Sequence, residues 1–317
     1  MKNFLKLILV SVLASISMCA SADYPNGQVK LLTGLPVGSG PDVMSRQLAT
    51  MLQKKWDTNV IVENKPGASG AISMEAFVNE PANGLTIYVA SVEHITSYPL
   101  LYNDRYTKQM ESVAPFFRMD MMLVGSPKIA TFDEFRTVIK DKPMFGSWGL
   151  GSIMHLAGLE LGTRLSTQDP THILYKDFGA LFIDVANKEV PYAWAATATV
   201  AELERAGKVK FFAVSTATRN PNYPSVPSIK ELTNLELGNP NGWVALFVHK
   251  NTPPEIKKQI TNDLLEVIRT EEMRDRIRAR GYIPYSPQTT NAEYQAELKK
   301  ESVRVQKIIQ KYNITVK

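Results

Sequence analysis

The run from Val29 to Lys55, VKLLTGLPVGSGPDVMSRQLATMLQKK, admits few folds. It opens on an apolar stretch, Val29 to Leu35, and turns through Pro36, Val37, Gly38, Ser39, Gly40 and Pro41. Met44, Leu48, Met51 and Leu52 then recur at helical spacing. A strand, a glycine-rich turn and a helix aim the unpartnered first-turn N–H groups at one point, where the helix dipole adds positive potential. Such a place suits an anion. Ser39 and Asp42 have the spacing of a capping box. A dinucleotide fingerprint fails here, because its third glycine would fall at Val43. A phosphate loop fails too, since no Gly-Lys-Ser/Thr follows. The turn is therefore sized for a small anion such as a carboxylate.

Residues 1–22 read as a signal peptide. Lys2 and Lys6 precede an apolar run, Leu7 to Met18, too short to span a bilayer comfortably. Ala20-Ser21-Ala22 is a cleavage site, which puts the mature start at Asp23 and the protein in the periplasm. The single cysteine, Cys19, lies inside this peptide behind Met18, not the small residue that a lipid-anchor signal wants. The mature chain then has neither disulfides nor thiolate metal sites. Thirty-six basic residues less Lys2 and Lys6, against 31 acidic ones, leave a formal charge of +3. That balance is too mild, and the basic residues too dispersed, for a nucleic-acid partner. No later stretch is long and apolar enough for a membrane span.

Residues 29 to 102 read as three strand-to-helix units. The second strand is Asn59 to Glu63, followed by the turn Asn64 to Gly70 and a helix through Ile72, Ala76 and Phe77. The third is Leu85 to Ala90, with its exit at Ser91-Val92-Glu93-His94. Alternating strands and helices imply a parallel sheet with right-handed crossovers, whose ligand crevice lies beyond the carboxyl ends of the strands. Three turns converge there: Pro36 to Asp42, Pro66 to Ala71 and Ser91 to Thr96. Ser112 to Gly125 reads as one strand leading out of this lobe. A helix at Phe132 to Lys140 precedes a second set of units. Its strands are Pro143 to Ser147, Thr171 to Lys176, Val190 to Ala196 and Val209 to Ser215. Trp243 to His249 is a returning strand. Thr252 and Glu255 are spaced as a capping box for a helix marked by Ile256, Ile260 and Leu264. The last helix, Asn291 to Lys311, carries Val303, Ile308 and Ile309 on its apolar side. These terminal helices are expected to pack on the first lobe.

The four histidines, His94, His155, His172 and His249, are not paired at i, i+4, and no H-E-x-x-H occurs, so no metal site is expected. G-x-S-x-G is absent. Ser152 and His155 lie three apart, which invites a hydrolytic dyad. The plainer reading is that Ser152 caps a helix and His155 lines a cleft. Arg46 and Arg118 could clamp a carboxylate, although Arg46 is expected to face solvent. Trp148 and Trp194 sit at or near strand ends, where they could stack on a planar ligand or pack in the core.

Five segments together resemble one family: PVGSGPDVMSRQLA, VENKPGASGAISMEA, HILYKDFGALFIDVANKEV, VKFFAVSTATRNPNYPSVPSIKE and GWVALFVHKNTPP. They are similar to the Bug, or TctC-like, extracytoplasmic solute-binding proteins of tripartite tricarboxylate transporters, over nearly all of the mature chain. The resemblance implies an α/β, type II-like clamshell, each lobe a mostly parallel sheet flanked by helices. The expected lobes are residues 23–122 plus 247–317, and residues 123–246. It implies a cofactor-free, non-enzymatic monomer that binds a small carboxylate and passes it to a membrane permease, or alternatively to a sensor kinase.

The first-lobe ligand residues expected are Val37, Gly38, Ser39, Gly40 and Asp42, then Ala68, Ser69 and Gly70, then Ser91 and His94. The second lobe is expected to offer Ser147, Ser152, His155, Tyr175, Lys176 and Trp194. Several positions depart from the family pattern. Asp177 stands where a glycine follows Tyr-Lys, Val190-Pro191 replaces Val-Asp, Trp194-Ala195 replaces a region with an Asp, and Tyr98-Pro99 replaces Asn-Pro. Fewer polar groups and more aromatic surface imply a more apolar or aromatic carboxylate, such as an apolar dicarboxylate.

Overall fold

The computed structural model describes residues 24–35, 37–67, 70–166, 168–175, 177–234 and 242–315. The signal peptide, the mature start, Ala68, Ser69 and Lys176 lie outside them. Val29–Thr33 (β1) leads through the glycine turn to Gly40–Trp56 (α1). Ser39 caps α1, and the basic Lys54 and Lys55 lie in its last turn, where the dipole favours them. Val60–Asn64 (β2), Ala71–Val78 (α2) and Thr86–Ser91 (β3) follow, then two single-turn helices, Val92–Ile95 (α3) and Tyr98–Leu101 (α4).

The apolar run that reads as one strand is in fact two, Met110–Met119 (β4) and Met121–Gly125 (β5). They are separated by Asp120, and they belong to different sheets. Apolar continuity cannot reveal such a break, because both halves are buried.

The chain continues through Phe132–Asp141 (α5), Met144–Ser147 (β6), Ile153–Leu165 (α6), Thr171–Leu174 (β7), Phe178–Asn187 (α7), Tyr192–Ala196 (β8), Thr197–Arg205 (α8), Lys210–Val214 (β9) and Ile229–Thr233 (α9). It closes with Gly242–His249 (β10), Pro254–Arg269 (α10), Glu271–Ala279 (α11), Ile283–Pro284 (β11) and Asn291–Lys311 (α12). The box expected at Thr252 does not form. Pro253 takes the cap position without a side-chain bond, and the Thr252 hydroxyl has no partner.

The first sheet has the order β11-β4-β10-β3-β1-β2 and the second β7-β6-β8-β5-β9. Both are mixed. β1, β2 and β3 are parallel, as are β6, β7 and β8, but β10 runs antiparallel to β3 and β4, and β5 antiparallel to β8 and β9. The reason is the route of the chain. Helical crossovers return strands in parallel, whereas β5 and β10 enter each sheet directly from the other lobe.

Leu31, Met44, Leu48, Phe116, Leu246 and Leu264 form a core between the first sheet and helices α1 and α10. A second core runs from Leu32, Phe77 and Tyr88 through Met121 to Val124 and on into Phe145, Tyr192 and Trp194. Each large side chain buried in it stabilises by about 1.5–3 kcal/mol. Helix α12 joins this core through Tyr294, Val305, Ile308 and Ile309, while Val303 is exposed. It bridges the two sheet layers: Tyr294 meets Trp243 of β10 in the first sheet edge-on, and Arg304 reaches Glu160 of α6 beside the second at 3.2 Å. No helix among the described residues is long and apolar enough to cross a membrane.

Candidate ligand-binding cleft

The first glycine turn is braced from within. Asp42 is 1% exposed. Its Oδ2 accepts from the Gly38 amide at 2.9 Å and from Arg46 Nε at 3.1 Å. Its Oδ1 accepts from Arg46 at 3.0 Å and from Asn64 Nδ2 at 2.8 Å. Burial alone would raise the Asp42 pKa, but the bonds from Asn64, Gly38 and Arg46 hold it below the ordinary value. One expectation changes accordingly: Asp42 is engaged inside the turn rather than offered to a ligand. Arg46 faces solvent as expected, and from there pairs with Asp42 and Asn64. Asn64 also donates to the Leu35 carbonyl at 3.0 Å, which ties the first turn to the second.

What the turn leaves for a ligand is backbone and hydroxyl. Ser39 Oγ accepts from the Asp42 amide at 3.4 Å. Asp42 does not complete the capping box, since its carboxylate turns to Gly38. Gly40 opens α1 and contributes an amide of the kind that lacks an intrahelical partner. Tyr282, absent from the sequence reading, packs over Gly40 so closely that a Cβ there would lie 1.6 Å from its hydroxyl. Val37 projects outward, 72% exposed.

The second turn lies against the first. A Cβ on Gly34 would fall 2.4 Å from Ser73 Oγ and 3.2 Å from the Gly70 α-carbon. Gly70 has φ 92°, so no other residue type suits it. Behind it stands His94, whose Nε2 would be 2.4 Å from a Cβ on Gly70. A proton chain sets the tautomer. Ser73 gives its one hydroxyl proton to the Gly70 carbonyl at 2.8 Å. Tyr88 therefore donates to Ser73 at 2.7 Å and accepts from His94 Nδ1 at 2.9 Å. Burial lowers the His94 pKa to about 4, so the ring is neutral and turns the Nε2 lone pair toward Gly70. Ser91 ends β3 and is buried beside it.

In the second lobe, Ser152 caps α6 by accepting from the His155 amide at 3.2 Å. His155 Nδ1 accepts from the Gly151 amide at 3.1 Å, so the imidazole is not paired with the Ser152 hydroxyl and the dyad is not assembled. His155 and His172 lie with ring centroids 4.3 Å apart. Burial lowers their pKa values to about 3 and about 4, with His172 adding to the effect on His155. Ser147 Oγ bonds His172 Nε2 at 2.7 Å. The Tyr175 hydroxyl is engaged with Asp184 at 2.6 Å. Asp177, which replaces a glycine of the family pattern, caps α7 by accepting from Ala180 at 2.8 Å.

The two tryptophans, read alike in the sequence, take different roles, and Trp194 is not the ligand residue expected. Trp194 is 0% exposed and belongs to the core, so it offers no ligand surface; Trp148 is 37% exposed at the edge of the cleft. The lobes meet where Gly151 packs on Leu101 and Ser97. Gly38, Ser39, Gly40, Gly70, Ser91 and His94 thus gather at the carboxyl ends of β1, β2 and β3. Ser152 borders the first lobe beside Glu93, Ser97 and Tyr98, whereas Ser147 and His155 are buried within the second lobe. Glu93, Tyr98, Tyr102 and Tyr282 also border this region; the sequence marks Tyr98 by its place before Pro99 and Glu93 only as part of the β3 exit, and marks neither Tyr102 nor Tyr282. No group of three metal-ligating side chains occurs among the described residues.

Residues 44–314 match the model of a family described as "Tripartite tricarboxylate transporter family receptor". BugT of Bordetella pertussis is 28% identical over 86% of this chain and 86% of its own. Among solved structures, MatC from Rhodopseudomonas palustris, with bound malate, superposes with a TM-score of 0.77 at 19% identity, over 90% of this chain and all of its own. A second R. palustris protein, solved with adipate, gives 0.75 at 22% identity, over 92% of this chain and 99% of its own. These structural likenesses establish the two-lobe periplasmic binding protein fold.

Proposed function

Because the chain belongs to the tripartite tricarboxylate transporter receptor family, we propose that it is an exported, periplasmic solute-binding protein that captures a small carboxylate between its two lobes. It delivers this solute chemically unchanged to a membrane permease and acts as a monomer. The lobes follow the expected division, residues 23–122 plus 247–317 and residues 123–246, except that β5 pairs wholly in the second sheet and β10 wholly in the first. The observation that carries the reading is the meeting of two glycine turns at the carboxyl ends of parallel strands. Asp42 and Asn64 lock them together, engaging the Gly38 amide, and so leave the Ser39 and Gly40 amides and the Ser39 hydroxyl to a ligand, with Gly70 giving the close approach of the second turn. Ala68 and Ser69 complete the second turn in the sequence. Small-anion recognition by helix-start amides follows from such an arrangement. The malate and adipate in the two solved relatives support it.

Closure supplies the mechanism. A ligand that touches both lobes binds the closed form better and shifts the population toward it by that difference in affinity. The test is a thermal-shift screen of the mature protein against mono-, di- and tricarboxylates and their methyl esters. A ligand at 100 times its dissociation constant stabilises by about 2.7 kcal/mol, a shift of a few degrees. A shift with an acid that its ester fails to give is the expected result. No shift with any carboxylate overturns the proposal.

A further inference from the structure

Three helices meet at a small cavity between the lobes. Glu93 of α3, Ile153 and Leu156 of α6, and Glu301 and Arg304 of α12 line it. Helix α3 follows β3 of the first sheet, and α6 follows β6 of the second. Helix α12 serves both. Near its start Asn291 donates to the Ser112 carbonyl at 2.8 Å and Glu297 pairs with Arg118, while further on it reaches α6.

The charges gathered here do not balance. Arg304 donates to Glu301 through two nitrogens, at 2.8 and 3.0 Å, and to Glu160 through the third, at 3.2 Å. Glu301 is 7% exposed, and Glu160 and Arg304 are little more so. Glu93 adds a third carboxyl to the cavity wall. Lys311, exposed at the end of α12, also attracts Glu160, and Arg164, one turn further along α6, is exposed. Three ionised carboxyls around one buried guanidinium leave net negative charge where water is scarce, and protonation of one carboxyl removes that cost. Burial raises the Glu160 pKa to about 7 over the attraction of Arg304 and Lys311, and it raises that of Glu93 too. The neighbouring histidines, His94 on α3 and His155 on α6, are pushed down by burial to about 4 and about 3 and stay neutral over the same range.

Opening the lobes moves α3 away from α6. If α12 stays with the first sheet, Glu160 leaves Arg304; if it follows α6, Glu93 leaves the cavity. Either way one carboxyl returns to water and ionises. We infer that this junction couples lobe closure to proton uptake, the closed form holding one more proton than the open form near neutral pH. The inference rests on the closure described above, not on which ligand drives it. A carboxyl whose pKa is higher in the closed form favours closure fully below its open-state value and loses that effect as pH rises through about 7. One proton changes the closed-to-open ratio by at most about ten-fold per pH unit.

Produced from Asp23, the chain has no cysteine. Gln53→Cys on α1 and Thr137→Cys on α5 are exposed and give one labelling site in each lobe. Single-molecule energy transfer between dyes at these sites counts closed and open molecules of the ligand-free protein from pH 5 to 8.5. The closed-to-open ratio should rise about five-fold or more from pH 8 to 5.5. Glutamine keeps the size of each carboxyl and an acceptor oxygen. Glu160→Gln or Glu93→Gln, whichever removes the carboxyl that opening exposes, should flatten the profile, and the double variant should flatten it in either case. A merely structural role for these residues would shift the ratio without changing its slope. A ratio independent of pH, a single population throughout, or a slope that the double variant retains overturns the inference. The carboxylate screen is read at one pH, so each of these failures leaves the ligand reading standing.

Discussion

Asp120 is the single residue between the two sheets at the β4–β5 crossing, and it is 2% exposed. Its Oδ2 accepts from Asn220 at 2.9 Å, while its Oδ1 has no partner. Burial raises its pKa from 3.8 to about 6, against the opposing effect of Asn220. The folded chain therefore holds this proton more tightly than the unfolded chain. Its contribution to stability is complete below pH 3.8, is lost as pH rises through about 6, and is flat above. Two pKa units correspond to about 3 kcal/mol. Asp120→Asn removes that loss. It also weakens the charge-assisted bond from Asn220 by about 1 kcal/mol and aims an amide at the unpartnered position. The expected net result at pH 7.5 is a variant about 1–2 kcal/mol more stable than wild type. Urea unfolding of both proteins between pH 3.5 and 8 measures this. Other titrating groups cancel in the difference curve, which should favour wild type near pH 3.5, cross between pH 4 and 6, and plateau. A difference that does not change with pH would refute the reasoning, and so would a variant less stable at pH 7.5.

Gly70→Ala forces a Cβ against His94 Nε2 at φ 92°. It should cost at least about 2 kcal/mol in urea unfolding and abolish any carboxylate-induced thermal shift. Arg304→Met strips the ion pairs from Glu160 and Glu301 and should cost about 3–5 kcal/mol. Burial raises the Glu160 pKa to about 7, outweighing the attraction of Arg304, so the loss should be smaller at pH 5, where Glu160 is protonated, than at pH 8. Ser152→Ala removes the α6 cap and should lower stability by about 1 kcal/mol, read from the urea midpoint.

The turns of the first lobe were legible because glycine, proline and serine punctuate the chain wherever backbone must turn sharply. Strand and helix positions followed from apolar spacing, usually to within a residue or two. What failed to show was set by partners distant in sequence. The i, i+4 pair Asp42–Arg46 is visible locally, but its clamp on Asn64 is tertiary. Met110 to Gly125 shows no change of pattern at Asp120, because strands covered on both faces lose the alternation that marks a surface. The same loss makes Trp148 and Trp194 indistinguishable in the sequence, though one lines the cleft and the other fills the core. Glu93 carries no motif at all. It is buried where Ile153 and Leu156 of the opposite lobe pack on it.

The order of the first sheet also dictates a sequence in time. β10 lies between β3 and β4, so β4 has neither of its sheet neighbours until residues 242–249 and 283–284 exist. All five strands of the second sheet come from the unbroken stretch 121–214. A chain that emerges from its N-terminus can complete the later lobe while the earlier one waits with open strand edges. Pulse-labelled amide exchange during refolding should find β5, β6 and β8 protected before β3 and β4, and the reverse order would exclude this route. Until β10 is inserted, the lobe that begins the chain exists only as two separate pieces.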